Sequence, residues 1–238
     1  MYMTEAEMIA INKTSSSRLA EVDFDNLVFG KQYSDHMFVA DFDGENWTNL
    51  QIMPYQNLAM SPATCALHYG QAIFEGLRAF KNEKGETLVF RPDQNFERFN
   101  RSALRMSMPE VPKEIFFEGL NQLLKLDAGW IPTKEGSSLY IRPFMIATDE
   151  FIGLKSSITY KFIIFTSPVA SYYSEPVKVY ASDEFVRAFP GGTGFAKTAG
   201  NYARAIKPVE DINNKGFQQI LWLDGIEKKY LQEIGTMN

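Results

Sequence analysis

From LVFG (residues 27 to 30) to FTSP (165 to 168), short β-type runs alternate with segments whose apolar residues recur at helical spacing. That alternation restricts this stretch to a mixed α/β unit. Pro92 follows the strand-like ETLVFR and suits the first position of a helix, after which Phe96, Phe99, Ala103 and Leu104 share a face. This helix should end before Pro109. A second helix from about Lys113 to Leu126 places Ile115, Phe116, Leu120, Leu123 and Leu124 on one side. SLYIRPFMI reads as a strand with Tyr140 and Arg142 on one face, and ITYKFIIFTS as a strand buried on both.

Residues 1 to 22 are polar and read as peripheral, and residues 23 to 167 as a small α/β domain. At PVASYYSEP (168 to 176) the composition turns to Pro, Ser and Tyr, which marks a linker. Residues 177 to 238 then begin a second domain: a strand VKVYAS, a glycine-rich stretch, a helical segment to about Asn214, a strand QQILWLD and a hairpin-like GIEKKYLQEIGT. Pro208 should bend the helical segment.

Composition excludes several classes of function. A net charge of −5 gives no global footprint for nucleic acid or for an anionic membrane surface. The longest apolar runs, such as FIIF, are far too short to span a bilayer, and the first residues carry acids where a secretory signal needs an apolar segment. A single cysteine, Cys65, excludes an internal disulfide framework and agrees with a reducing, cytoplasmic setting. His36 and His68 lie far apart with one cysteine in the chain, which argues against a zinc site.

GGTGFAKTAGNYAR (191 to 204) surrounds Lys197 with glycine and alanine. Gly191, Gly192, Gly194 and Gly200 each carry an entropic cost, so the stretch needs a reason for close backbone approach. Three readings compete: an exposed surface loop, a degenerate phosphate loop with Ala196 in place of its last glycine, and a lysine that bonds covalently to pyridoxal phosphate. In the last, small neighbours let a flat ring lie against the backbone. A carboxylate must also face the pyridine nitrogen, for which Glu233 is a candidate.

Taken together, LHYGQAIFEGLRAF, RPDQNFERFNRSALRM, SLYIRP, GGTGFAKTAGNYA, QILWLDG and EIGTMN resemble the branched-chain amino-acid aminotransferases, of the fold type IV pyridoxal-phosphate class. The resemblance implies a small N-terminal α/β domain followed by a pseudo-barrel domain. It implies that Lys197 bonds the cofactor pyridoxal 5′-phosphate and shuttles the substrate proton, that Tyr202 hydrogen-bonds the phenolic oxygen, and that Glu233 pairs with the pyridinium nitrogen. Arg98 would grip the phosphate, Arg187 would lie near the cofactor, and Thr236 would support the site. Phe29, Tyr69, Phe74, Tyr140 and Tyr172 match an aromatic pocket for leucine, isoleucine or valine, with Arg142 receiving the γ-carboxylate of glutamate.

By the same resemblance the reaction is amino transfer to 2-oxoglutarate in a homodimer. A D-amino-acid transaminase, an aminodeoxychorismate lyase or an inactive remnant are the alternatives. Family members continue well beyond EIGTMN, so the second domain is expected to be incomplete within these 238 residues. Residue type alone leaves the blander readings open: Arg98, Arg101 and Arg105 recur at helical spacing as solvated arginines do, and Phe29 and Phe74 could be core.

Overall fold

The computed structural model describes residues 8–171 and 175–235. The chain divides into two compact units, Met1–Tyr172 and Tyr173–Asn238.

The first unit is built on an eight-stranded sheet. Its strands are β1 (Ala10–Ile11), β2 (His36–Phe42), β3 (Trp47–Pro54), β4 (Ala72–Phe74), β5 (Leu77–Lys81), β6 (Thr87–Val89), β7 (Ser138–Ala147) and β8 (Tyr160–Val169). Their order is β1-β3-β2-β8-β7-β5-β6, with β4 also on β7. Helix α1 (Cys65–Tyr69) precedes β4, and α2 (Pro92–Arg105) and α3 (Lys113–Leu126) lie between β6 and β7.

Both long helices fall where the sequence places them, but Leu104, expected on the apolar face of α2, is exposed, because the face that packs on the core is set by Phe99 and Ala103. Pro92 occupies the first turn of α2, where its missing N–H is not needed. The apolar stripe of α3, Ile115, Phe116, Leu120, Leu123 and Leu124, is buried. The core forms where this stripe and Phe99 of α2 meet Phe38, Ile52 and Phe162 of the sheet. Phe116 stacks on Phe162 with ring centroids 5.7 Å apart.

Strand β7 alternates: Leu139, Ile141, Met145 and Ala147 are buried, while Tyr140, Arg142 and Phe144 stand half-buried on the other face. Opposite it, β4 and β5 keep one continuous register, with Phe74 facing Phe144 and Leu77 facing Ile141. Glu75 therefore lies opposite Pro143, and Gly76 opposite Arg142. Proline has no N–H to give the ladder, so strand pairing lapses at these two residues. One backbone bond remains there, from Glu75 N–H to the Pro143 carbonyl at 2.8 Å.

The polar N-terminal segment is more firmly attached than its composition suggests. Residues Ala10 and Ile11 add a parallel strand beside Gln51 and Ile52. Ser17 Oγ and the Arg18 N–H both donate to the buried carboxylate of Asp35, which also accepts from Trp130 Nε1. Thr14 N–H donates to His36 Nε2 at 2.9 Å, and the other ring nitrogen of His36 lies 2.6 Å from Asp127.

Strand β8 continues through Pro168 and Val169, the first two residues of the expected linker stretch. In the second unit, β10 (Gln219–Leu223) is central, parallel to β9 (Val179–Ser182) and antiparallel to β11 (Leu231–Ile234). Two helices intervene between β9 and β10, α4 (Ala199–Ala203) and α5 (Ile206–Asn214). Ile212 of α5 packs on Ile220 and Trp222. The interruption expected at Pro208 falls earlier, at Arg204–Ala205. Pro208 itself sits in the first turn of α5, where it replaces no helical hydrogen bond.

The β10–β11 turn is organised by Asp224, whose carboxylate accepts N–H groups from Ile226, Glu227, Lys229 and Tyr230. These bonds hold its carboxyl below the usual carboxylate range. The acidic end of ILWLD is thus committed to a turn. No helix among the described residues is long and apolar enough to cross a membrane.

Candidate functional site

The candidate residues fall into two groups, one in each unit. In the second unit, Lys197 precedes α4 in a loop whose glycines have distinct uses. Gly191 adopts φ of +79°, and a Cβ on Gly194 would come within 2.4 Å of the Ala188 side chain. A buried asparagine fastens the loop. Asn201 Nδ2 donates to the carbonyls of Thr193 and Ala196, and its Oδ1 accepts from Thr193 Oγ1 at 2.7 Å. Ala196 and Thr198 are buried on either side of a half-buried Lys197. The Lys197 amine donates to Tyr202 Oη at 2.8 Å and lies 5.2 Å from the centre of the same ring.

Arg187 links this loop to the hairpin. Its Nη1 donates to the Gly194 carbonyl at 3.3 Å, and its Nε lies 3.0 Å from Glu233 Oε2 on β11. The Arg187–Glu233 contact is an ion pair and not an aligned hydrogen bond, because Nε–H does not point at the oxygen and has no hydrogen-bond partner among the described residues. Thr236 lies outside the described residues.

In the first unit, β7 presents Tyr140 and Arg142 side by side, with Arg142 Nη2 donating to Tyr140 Oη at 2.8 Å. The Arg142 guanidinium lies 4.6 Å from the centre of the Phe74 ring, and Phe29 packs edge-on to Tyr140 at 5.2 Å. Four of the six residues matched to the substrate pocket are therefore linked in a chain of contacts, Phe29–Tyr140–Arg142–Phe74. Tyr69, at the end of α1, has its ring beside His68, and no ring contact or hydrogen bond among the described residues joins it to these four. Tyr172 lies outside the described residues. Arg142 Nε, like Arg187 Nε, is a buried donor without a hydrogen-bond partner among the described residues. Orphaned cationic donors are costly to bury, and an anionic ligand is the chemistry that satisfies them.

Arg98 reaches from α2 to Glu75. Its Nε donates to Oε1 at 2.6 Å and its Nη2 to Oε2 at 2.8 Å. Glu75 and Asn201 are the residues that sequence reasoning missed. The signal for Glu75 was present: a lone acid inside AIFEGLRAF must find a cation if it is buried. Asn201 carried a weaker one, an amide between the glycine and tyrosine of GNY.

Within the second unit, an amine on a loop of small residues, a tyrosine hydroxyl at that amine and a carboxylate beside an arginine are what the aldehyde, phenol and ring nitrogen of a phosphorylated pyridine aldehyde require.

Comparison with known proteins gives a consistent relationship. The chain is 51% identical over 228 residues to branched-chain-amino-acid aminotransferase 2 of Bacillus subtilis, covering 94% of this chain and 63% of that protein. It is 50% identical over 218 residues to branched-chain-amino-acid transaminase 1 of the same organism, covering 90% and 61%. A probable branched-chain-amino-acid aminotransferase of Staphylococcus epidermidis is 46% identical over 238 residues, covering 98% and 66%. The chain thus spans slightly under two thirds of the length of these relatives.

Among solved structures, the T.th. branched-chain amino acid aminotransferase with pyridoxamine 5′-phosphate aligns with a TM-score of 0.65 at 22% identity, over 83% of this chain and 62% of that one. The Thermoproteus uzoniensis branched-chain aminotransferase with norvaline aligns with a TM-score of 0.64 at 23% identity, over 84% and 63%. These show a shared fold. No protein-family model matches the chain.

Proposed function

We propose that the chain is a member of the branched-chain-amino-acid aminotransferases, to which it is 46–51% identical, and that it takes part in pyridoxal-phosphate-dependent amino transfer between leucine, isoleucine or valine and 2-oxoglutarate. The observation that carries this reading is the Lys197 amine, set in a loop of small residues and held 2.8 Å from Tyr202 Oη.

Pyridoxal phosphate, when bound, supplies an electron-accepting ring that makes a proton on the substrate α-carbon removable. Lys197 Nζ would carry that proton between the substrate α-carbon and the C4′ position of the cofactor, as base and then acid. Tyr202 Oη orients the amine and donates to the phenolic oxygen. Glu233 holds the proton on the pyridine nitrogen, and the Arg187 cation 3.0 Å away keeps charge balance around that carboxylate. Arg98 holds the phosphate as a fork-shaped donor.

The substrate residues answer a particular demand, since one cavity must accept an apolar side chain and then an acidic one. Phe29, Phe74 and Tyr140 offer apolar surface to leucine, isoleucine or valine. Arg142 offers its guanidinium to the γ-carboxylate of glutamate, and its contact with the Tyr140 hydroxyl keeps it aligned. Tyr69, Tyr172 and Thr236 enter the proposal on the family match alone. The same match supports a homodimer, and the single buried cysteine agrees with a cytoplasmic setting.

The test is a set of parallel assays of the full chain with L-leucine, D-alanine and aminodeoxychorismate, reading glutamate formed from 2-oxoglutarate or pyruvate released. Glutamate from L-leucine alone supports the proposal. Turnover confined to D-alanine or to aminodeoxychorismate assigns the chain to another fold type IV activity.

A further inference from the structure

We propose that Glu75 is a positioning residue: it clamps Arg98 so that the guanidinium is oriented in advance for the cofactor phosphate. This rests on the reading above that Arg98 takes the phosphate.

Glu75 is fully buried, with none of its side chain exposed, whereas the Arg98 side chain is 35% exposed. A carboxylate taken out of water must be compensated, and here every contact is a donor. Arg98 provides Nε and Nη2, Asn95 Nδ2 donates at 2.8 Å, and Gly76 N–H approaches at 3.3 Å. Such a cluster is a poor choice for stability alone, because an apolar side chain of similar volume fills a buried site as well or better. What it provides is direction. Arginine has many rotamers, and two parallel bonds to one carboxylate select a single one.

The clamp is anchored on both sides. Arg98 and Asn95 project from α2 one turn apart. Glu75 is held by its backbone bond to Pro143 at the lapse between β4 and β5. Glu75 takes the Nε and Nη2 edge of the fork. A guanidinium carries five N–H groups, so its Nη1 and Nη2 edge is thereby aimed in a fixed direction, as recognition of a phosphate requires. An ionised carboxylate at this position also lowers the net positive charge, so an arginine serving only as a charge would be better off without it. That opposition of sign makes the idea testable.

The experiment compares dissociation constants for pyridoxal phosphate and for pyridoxal, measured by equilibrium dialysis on the full chain, its Glu75→Gln and Glu75→Asp variants, and Arg98→Met. The ratio of the two constants reports phosphate recognition separately from everything else at the site. We expect the unaltered chain to favour the phosphorylated form, Arg98→Met to abolish that preference, and both Glu75 variants to reduce it at least tenfold. An increased preference in Glu75→Gln would show that Glu75 only damps charge, and equal weakening of both ligands would show that it only supports the fold. Either result overturns the proposal. Retention of the preference in Arg98→Met, or its absence in the unaltered chain, overturns the reading of Arg98 and identifies that reading as the failure. Should neither Glu75 variant fold, hydrogen exchange at Arg98 Nε–H in the unaltered, cofactor-free chain decides: marked protection supports the clamp, and exchange as fast as in solvent-exposed arginines overturns it.

Discussion

Replacing Gly76 by alanine tests the coupling between the strand lapse and the substrate residues. A Cβ at this position would lie 2.4 Å from Tyr140 Oη and 3.1 Å from Cζ, whereas ordinary contact begins near 3.4 Å. Tyr140 must withdraw by about 1 Å, the difference between those two distances. Its backbone cannot follow, because β7 is paired on both sides, with Arg78 and Ser167 flanking Tyr140. The movement therefore falls on the side-chain torsions. A displacement of that size stretches the 2.8 Å contact from Arg142 Nη2 beyond hydrogen-bonding distance. Overpacking of this kind costs about 1–3 kcal/mol in stability. Loss of one aligned donor to a carboxylate costs roughly 1.5–3 kcal/mol, which raises the glutamate KM by about tenfold to a hundredfold.

The assay is thermal melting together with KM and kcat for glutamate and for leucine. Leucine should suffer less, because it needs only the apolar walls. Adding Tyr140→Phe removes the clashing oxygen and should restore much of the stability while leaving the glutamate KM high. An unchanged melting temperature and glutamate KM in Gly76→Ala, or no recovery of stability in the double variant, would refute the reasoning.

Two further outcomes follow from other parts of the structure. Asn201→Ala leaves the Thr193 and Ala196 carbonyls without their side-chain donor, so it should cost about 1–3 kcal/mol and speed hydrogen exchange in the loop before Lys197, measurable by mass spectrometry. For Asp35, burial opposes ionisation, but the hydrogen bonds from Ser17, the Arg18 N–H and Trp130 outweigh it and hold the carboxyl below its ordinary value. A depressed carboxyl stabilises the fold above its unfolded value of about 3.9, and that contribution is lost as pH falls through the folded value. Trp130 fluorescence should therefore change below about pH 4, and Asp35→Asn should abolish that step; a transition centred near pH 6 would contradict the assignment.

The regular elements were legible because their signals are local. Helix α3 runs from Lys113 to Leu126 as its apolar spacing implies, and Pro92 opens α2 where a first-turn proline belongs. The interrupted strand was not legible, because it depends on Pro143 arriving opposite Glu75 from nearly seventy residues away. The attachment of the N-terminal segment was hidden for the same reason. Ser17 and Arg18 look like solvated residues until Asp35 and Trp130 are brought beside them. In the site, residue type pointed to Lys197 and suggested Glu233, while the resemblance supplied Tyr202, Arg98 and the pocket residues. Neither exposed the second layer, because Glu75 and Asn201 act through other residues and are recognisable only by the bonds they make.

The central claim, that Lys197 bonds a pyridoxal phosphate in this loop, is tested most directly by incubating the full chain with the cofactor, reducing with borohydride, and mapping peptides by mass spectrometry. One phosphopyridoxyl adduct is expected, on the peptide containing Lys197, and it disappears in Lys197→Ala. An unmodified Lys197 at saturating cofactor, or adducts scattered equally over surface lysines, would contradict it.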